Sequence, residues 1–378
     1  MKEIQIIRAT SKKERKLFAE YGNRLYAQCP YAVPELAFDI LDTFDAKKNA
    51  AYEFCEAQLF LAVRGSEIVG RVAAIINHRA NETWDVKNVR FGYLDFIDDA
   101  SVADALLHAV EEWGRARGMT SCQGPMGFTD FDKEGMLIEG FDRLGSITTY
   151  YNHPYYPEHM ERMGYEKEID WVERKVMCPE SIPEKYVRVS EMVAKRYGLR
   201  VKKLKNMREV KHDEYGKRIF ELINDSYAPL FGYSRLSERQ IDQMVNTYMP
   251  LVDLKMQCLV MNADNELVGV GLAMPSIVRA LQKSRGMMFP FGWWHLLKAM
   301  FWKRSDTVEL LLIGVLPEWQ KKGVVALVFQ DLVATYNKLG FKYAETNAML
   351  EDNVKIQTIF GSFERELHKR RWIFGKEI

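Results

Sequence analysis

The feature that most limits what this chain can fold into is an internal repeat. LFLAVRGSEIVGRVAA (Leu59 to Ala74) returns as CLVMNADNELVGVGLA (Cys258 to Ala273), with Glu67, Ile68, Val69 and Gly70 aligned on Glu266, Leu267, Val268 and Gly269. Each copy is an apolar β-type run, a short polar turn and a second apolar run, the pattern of a β-hairpin. Later matches keep the same order. EEWGRARGM before Thr120 answers TYNKLGF, placing Gly118 on Gly340, and IDWVERKV answers RRWIFGKEI, placing Trp171 on Trp372. A chain that repeats its elements in order is expected to fold as two copies of one unit. The spacing between matches widens and then narrows, which locates about 23 extra residues in the second copy, a Trp-rich stretch, and about 21 in the first, Gly127 to Gly145.

The chain of 378 residues has room for two domains at roughly 150 residues each. CPESIP, with Pro179 and Pro183, disfavours helix and strand alike and marks the boundary between domains at 1–180 and 181–378. Within each half the expected order is strand, helical region, hairpin, strand, helix, strand, short helix, strand. Phe91 to Ile97 reads as the fourth strand of the first half and Ser101 to Gly118 as its helix, with Ser101 as N-cap. Val308 to Val315 and Gly323 to Leu339 are the corresponding strand and helix of the second half.

Charge and cysteine usage narrow the function. Lys plus Arg at 53 against Asp plus Glu at 52 leaves a net +1, with no cationic field for nucleic acid. Five single cysteines without CxxC spacing argue against a disulfide framework and a zinc site, and suit a reducing cytoplasm. The opening MKEIQIIRATSKKERK has no apolar run of the secretory type and reads as a first strand. The most apolar stretch, Met287 to Trp302, contains Pro290, His295 and Lys298 and falls short of the ~20 residues that span a bilayer, so no stable membrane insertion is expected.

The junction LLIGVLPEWQKKGVVALVFQ (Leu311 to Gln330) is the most informative stretch. A strand, a loop and a helix in that order aim unpaired backbone N–H groups and the positive helix end at one point, where a pyrophosphate fits. Lys321 and Lys322 add cationic charge, and Gly323 lets backbone approach without a Cβ. This junction resembles the acyl-CoA loop of the GCN5-related N-acetyltransferases, whose pattern is Gln/Arg-x-x-Gly-x-Gly/Ala after a strand ending in Val and a Pro-Glu-aromatic turn. Val315, Pro317, Glu318, Trp319, Gln320, Lys322 and Gly323 fill those places, and Val325 stands where the family has Gly or Ala.

The resemblance implies an α/β fold of two tandem domains, each with a mixed, mostly antiparallel central sheet flanked by helices. It places acetyl-CoA or another acyl-CoA at Val315 and at Gln320, Lys321, Lys322, Gly323, Val324, Val325 and Ala326, with Asn353 on the pantetheine arm. The family's acidic Tyr would follow Asn353 by seven residues, where this chain has Phe360. In the first half Asn152 is followed by Tyr155 and Tyr156, but the matching position falls near Met160, and Asp98 and Asp99 stand where the pyrophosphate would sit. Only the second half therefore looks competent to bind CoA. The reaction implied is direct acyl transfer to a small-molecule or peptide amine, through a ternary complex and without a covalent enzyme intermediate; no ligand spacing in the sequence suggests a metal.

An alkylammonium must lose a proton before it attacks, since its pKa is near 10. Glu309 and Glu345, in the fourth and fifth strands of the second half, are the candidate bases, and a backbone amide of the fourth strand around Leu316 is the expected oxyanion donor if a bulge frees it. A non-catalytic acyl-CoA sensor or scaffold is the alternative, favoured by Phe360 and Val325. An aminoacyl transferase using charged tRNA fits the duplication but not the CoA-type loop.

Two segments stay open at this stage. Asp130, Asp132, Glu134 and Gly135 imitate part of a calcium loop, but Phe141 occupies the position of its final Glu; the loop is structural or offers carboxylates to a cationic substrate. Trp293, Trp294, Phe301 and Trp302, with Lys298, Lys303 and Arg304, can pack between domains, line a pocket or lie on a lipid surface.

Overall fold

The computed structural model describes residues 3–302, 304–353 and 358–378. Along the first repeat run β1 (Ile4–Arg8), α1 (Lys12–Leu25), α2 (Ala37–Thr43), β2 (Cys55–Arg64), β3 (Glu67–Asn77), α3 (His78–Trp84), β4 (Asn88–Phe96), α4 (Ala100–Arg115), β5 (Ser121–Gly124), β6 (Met136–Glu139), α5 (Tyr155–Arg162) and β7 (Glu166–Met177). The second repeat runs through α6 (Glu184–Tyr197), β8 (Arg200–Lys202), α7 (Met207–Lys211), α8 (Tyr215–Tyr227), α9 (Glu238–Thr247), β9 (Gln257–Met261) and β10 (Leu267–Pro275). It continues with α10 (Val278–Ser284), α11 (Gly292–Phe301), β11 (Thr307–Val315), α12 (Val324–Leu339), β12 (Tyr343–Glu345), β13 (Met349–Leu350) and β14 (Arg365–Glu377). The fold is the expected mixed α/β class with mostly antiparallel strand pairs.

The residues gather into two compact units. The first comprises Met1–Val172, Ile277–Lys298 and His368–Ile378; the second, Glu173–Ser276 and Ala299–Leu367.

In the first unit β1, β2, β3 and β4 pair antiparallel in sequence, β5 joins β4 in parallel, and β14 closes beside β5 with Phe374 opposite Gly124. Both faces of this sheet are covered. Phe60, Val72, Ala74 and Ile76 enter the core beneath α4, while Leu59, Leu61, Ala73 and Ile75 enter a second cluster with Phe18 of α1. Side chains alternate between faces along a strand, so a strand buried on both reads as the continuous apolar run seen in the sequence.

In the second unit β8, β9, β10 and β11 pair antiparallel, β12 joins β11 in parallel, and Lys175–Met177 of β7 run antiparallel to β12. The principal core lies under α12 and α6, with Val260, Val268, Val308, Val315, Val324 and Val328 buried together.

The repeat holds at the level of single bonds. Pairing skips one residue in each hairpin, Val69 in β3 and Val268 in β10, a bulge at aligned positions. The Val69 carbonyl accepts from the Ile97 amide and the Val268 carbonyl from the Leu316 amide, both at 3.1 Å. Beside each bulge a glycine lets a helix close down on the sheet: a Cβ on Gly70 would lie 2.6 Å from Leu106 of α4, and one on Gly269 2.7 Å from Val324 of α12. The pair Gly269 and Gly271 therefore serves helix packing.

Candidate functional site

Strand β11 sets the geometry of the second unit. It pairs with β12 only at Thr307 with Tyr343, Val308 with Ala344 and Glu309 with Glu345, yet continues along β10 as far as Val315 opposite Gly269. Among the described residues the two strands part after that last pair. The apolar wall where they part includes Leu310, Ile313, Phe329, Ala344 and Phe360 and encloses about 20 Å³, room for about one water molecule.

Glu309 and Glu345 face away from α12. Val308, Leu310 and Ala344 point into the α12 core, and alternation sends the intervening glutamates to the opposite face of the sheet. Glu309 is 4% exposed and Glu345 half-buried. Gln257 belongs to the same face, because its neighbour Cys258 lies in the α12 core and Gln257 aligns with Leu272 and, through it, Leu312. Its side chain is fully buried, and neither polar atom has a hydrogen-bond partner among the described residues. An unpaired buried amide costs roughly 1–3 kcal/mol.

Helix α8 covers this face at Gly314, where a Cβ would meet Ile223 and Ser226 at 2.8 Å. At its end the Tyr227 hydroxyl donates to the Ile313 carbonyl at 3.1 Å, and burial pushes that phenol up to about 12. Tyr227 and Gln257 were not singled out in the sequence. Gln257 leaves one trace there, a polar residue heading the apolar run CLVM; Tyr227 leaves none, because it arrives from a helix far upstream of β11.

The Leu316 amide is not the oxyanion donor expected from the sequence, since it is committed to the Val268 carbonyl. The irregularity in β11 falls earlier. Leu310 pairs with Ala273 and Leu312 with Leu272, which leaves Leu311 outside the β10 ladder.

Beyond Val315, Pro317–Lys322 form a 3-10 turn, and α12 begins at Val324. Gly323 joins them at φ 81, a conformation other residues avoid, and its vacant Cβ position lies 3.0 Å from Val193 of α6. As N-cap it supplies no side chain; the Ala326 amide donates to its carbonyl at 3.0 Å, so the amides left for an anion are those of Val324 and Val325. Lys321 is exposed, and the Lys322 ammonium lies 3.9 Å from the centre of the Trp319 ring. The Gln320 side chain donates to the Val315 carbonyl at 3.3 Å. Val324 and Ala326 are buried and Val325 half-buried. The Asn353 amide donates to the Leu350 carbonyl at 3.2 Å, while Phe360 packs edge-on against Phe329 at 5.5 Å.

The first unit has the same frame with different residues at the matching places. Its last β4–β5 pair is Arg90 with Gln123, where the second unit has two glutamates. The N-cap of α4 is Asp99, and Ser101, the expected cap, lies inside the helix and donates its amide to Asp99 at 2.9 Å. Bonds from Ser101 and Arg64 hold the Asp99 carboxyl down to about 2. At the end of β4 the Phe96 amide donates to the Tyr156 hydroxyl at 2.9 Å, and Tyr155 donates to the Phe96 carbonyl at 2.6 Å. A protein carboxylate thus caps the start of α4, and two phenols occupy the strand end.

The described residues contain no group of three or more His, Cys, Asp or Glu able to hold a metal ion, and no helix long and apolar enough to cross a membrane. Lys303 lies outside the described residues.

No family model matches the chain. A protein named bacterial ceramide synthase, from Caulobacter vibrioides (strain NA1000 / CB15N), is 27% identical over 357 residues, 93% of this chain and 91% of that protein. Protein YghO of Escherichia coli (strain K12) is 25% identical over 376 residues, 97% and 94% of the two chains. Among solved structures, a tandem GNAT protein from the clavulanic acid biosynthesis pathway superposes with a TM-score of 0.55 at 12% identity, covering 99% of this chain and 98% of that one. A GCN5-related N-acetyltransferase from Sphaerobacter thermophilus gives 0.53 at 13% identity, covering 99% and 95%.

Proposed function

We propose that this chain, which has the tandem fold of the GCN5-related N-acetyltransferases, is an acyl-CoA-dependent N-acyltransferase whose donor site lies in the second unit. The observation that carries the reading is the contrast at two equivalent helix starts: Gly323 leaves the N-terminus of α12 without a side-chain cap, while Asp99 fills that of α4. The diphosphate of CoA sits on the amides of Val324 and Val325 with Lys321 and Lys322 beside it, while the Ala326 amide closes the first turn on the Gly323 carbonyl at 3.0 Å, and Val315, Gln320, Gly323 and Asn353 shape the approach.

Glu309 and Glu345 serve the acceptor. One carboxylate takes the first proton from the ammonium, the amine attacks the thioester carbonyl, and as the carbon–sulfur bond breaks the second nitrogen proton passes to the departing CoA thiolate; the carboxyl then returns its proton to solvent. Leu311, outside the β10 ladder, supplies the backbone amide for the oxyanion.

The relative named bacterial ceramide synthase supports a fatty acyl-CoA donor and a long-chain amino alcohol acceptor. Purified protein is titrated with acetyl-CoA and palmitoyl-CoA by calorimetry, then assayed for thiol release with sphinganine and with spermidine. Binding weakened roughly tenfold in Lys321→Glu, with release only in the presence of sphinganine, is the expected result. No binding of either thioester would sink the proposal. The second reading, an acyl-CoA sensor, is favoured by Phe360 filling the narrow gap beside β11, and predicts binding without release with any amine.

A further inference from the structure

The segment Met287–Trp302 carries a surface that acyl transfer does not use. Phe289 is 80% exposed, Phe291 68%, Met287 57%, and Trp293 and Trp294 above 40%. Large apolar side chains scattered singly on a surface need no explanation, but this many in one short run do. The run is held in place. In the first unit Gln282 donates to the Pro30 and Ala32 carbonyls at 2.9 Å, and Val278 and Leu281 of α10 are buried. At the tip the Trp293 amide returns to the Met288 carbonyl at 3.0 Å, and the Trp293 indole donates to the Pro290 carbonyl at 3.1 Å. Phe289 and Phe291 therefore project from a closed turn. Along α11, His295, Leu296, Ala299 and Met300 are half-buried, while Trp293, Trp294, Leu297, Lys298 and Phe301 face solvent.

Charge identifies the partner. No Asp or Glu occurs between Glu266 and Asp306, a span containing Arg279, Lys283, Arg285, Lys298, Lys303 and Arg304. Lys283, Arg285 and Lys298 are exposed, and none pairs with a carboxylate among the described residues. Aromatic side chains projecting between unneutralised cations match the boundary of an anionic bilayer, where rings enter the acyl region and cations meet phosphate. A second copy of the chain fits worse, because an isologous contact would set these cations against themselves.

We propose that this face docks the protein peripherally on anionic lipid, with Met287–Leu297 entering the headgroup boundary. The docking is independent of the acyl-transfer reading and is measured without CoA. Full-length protein is sedimented with vesicles of phosphatidylcholine alone and of phosphatidylcholine mixed with an equal amount of phosphatidylglycerol. Binding to the mixed vesicles is expected. Replacing Lys283, Arg285 and Lys298 together by Ser should weaken it roughly a hundredfold, at about 1 kcal/mol for each cation. The combined variant Phe289→Ser, Phe291→Ser, Trp294→Ser should abolish it, with an unchanged melting midpoint because these side chains are exposed. Protein remaining in the supernatant with both vesicle types overturns the proposal. So does binding that ignores phosphatidylglycerol, or light scattering that shows a dimer dissolved by the aromatic variant, which would assign the face to a second copy.

Discussion

Glu309 and Glu345 are register partners on the parallel strands β11 and β12, the last pair before those strands part. Partners in a parallel ladder project from the same face, so the two carboxylates lie side by side on one face of the sheet. Glu309, the more buried, is the stronger candidate for the proton acceptor. Glu309→Gln should lower kcat/KM by about 10²–10³ and remove the acidic limb of its pH profile. Glu345→Gln should lower it less and leave that limb in place. Steady-state rates between pH 5 and 9 separate the two effects; equal losses with unchanged profiles would deny both residues this role.

Gln257 offers a test that opposes stability to activity. Its buried amide has no partner among the described residues and shares the sheet face of Glu309. Gln257→Met keeps the volume and removes the unpaired groups, so unfolding free energy should rise by ~1–2 kcal/mol. If the amide contacts the acceptor, the same variant raises KM for the amine and leaves thioester affinity unchanged. Denaturant melts and acceptor titrations read these outcomes independently.

The duplicated hairpin was legible because its information is local: alternating apolar residues, a turn and a glycine beside the bulge. The junction between β11 and α12 was legible for the same reason, as a strand, turn and helix in immediate succession. Longer-range choices were not. The Leu316 amide is captured by Val268, which the repeat aligns with Val69 but which no local pattern ties to position 316. The cap of α4 was misplaced by two residues because DDAS offers several capping side chains, and Arg64 on a distant strand favours Asp99. Tyr227 is brought to β11 by the packing of α8 on Gly314, a consequence of tertiary closure.

The two helix starts should respond differently to mutation. Asp99→Ala removes the bond to the Ser101 amide and the Arg64 pair, and should destabilise the protein by about 1 kcal/mol with little effect on CoA affinity. Lys321→Glu, at an exposed position, should leave the melting midpoint unchanged and weaken CoA binding roughly tenfold. The reverse pattern would place the donor on the first unit.

Tyr227 can be tested by removing its hydroxyl. Tyr227→Phe loses the bond to the Ile313 carbonyl, which should cost about 1 kcal/mol of stability. If the hydroxyl only fixes this strand, donor affinity and kcat fall together. If it also serves the leaving thiolate, kcat falls further for CoA thioesters than for activated thiophenyl esters, whose leaving groups need no acid.

Asp132 makes stability depend on pH in a direction opposite to a salt-bridged carboxylate. It accepts the Thr129 amide at 2.9 Å, but burial outweighs that bond and pushes its carboxyl up to about 6. The folded state therefore holds this proton in a range where the unfolded chain, titrating near its ordinary value, has released it. Folding gains from the raised value below about pH 4 and loses that gain as pH rises through about 6. Asp132→Asn retains an acceptor for Thr129 and cannot ionise. Its stability relative to wild type should therefore increase by ~2 kcal/mol between pH 4 and pH 7. Parallel urea melts across that range check the sign: a difference that stays flat would show that Asp132 is already ionised in the folded protein at pH 4.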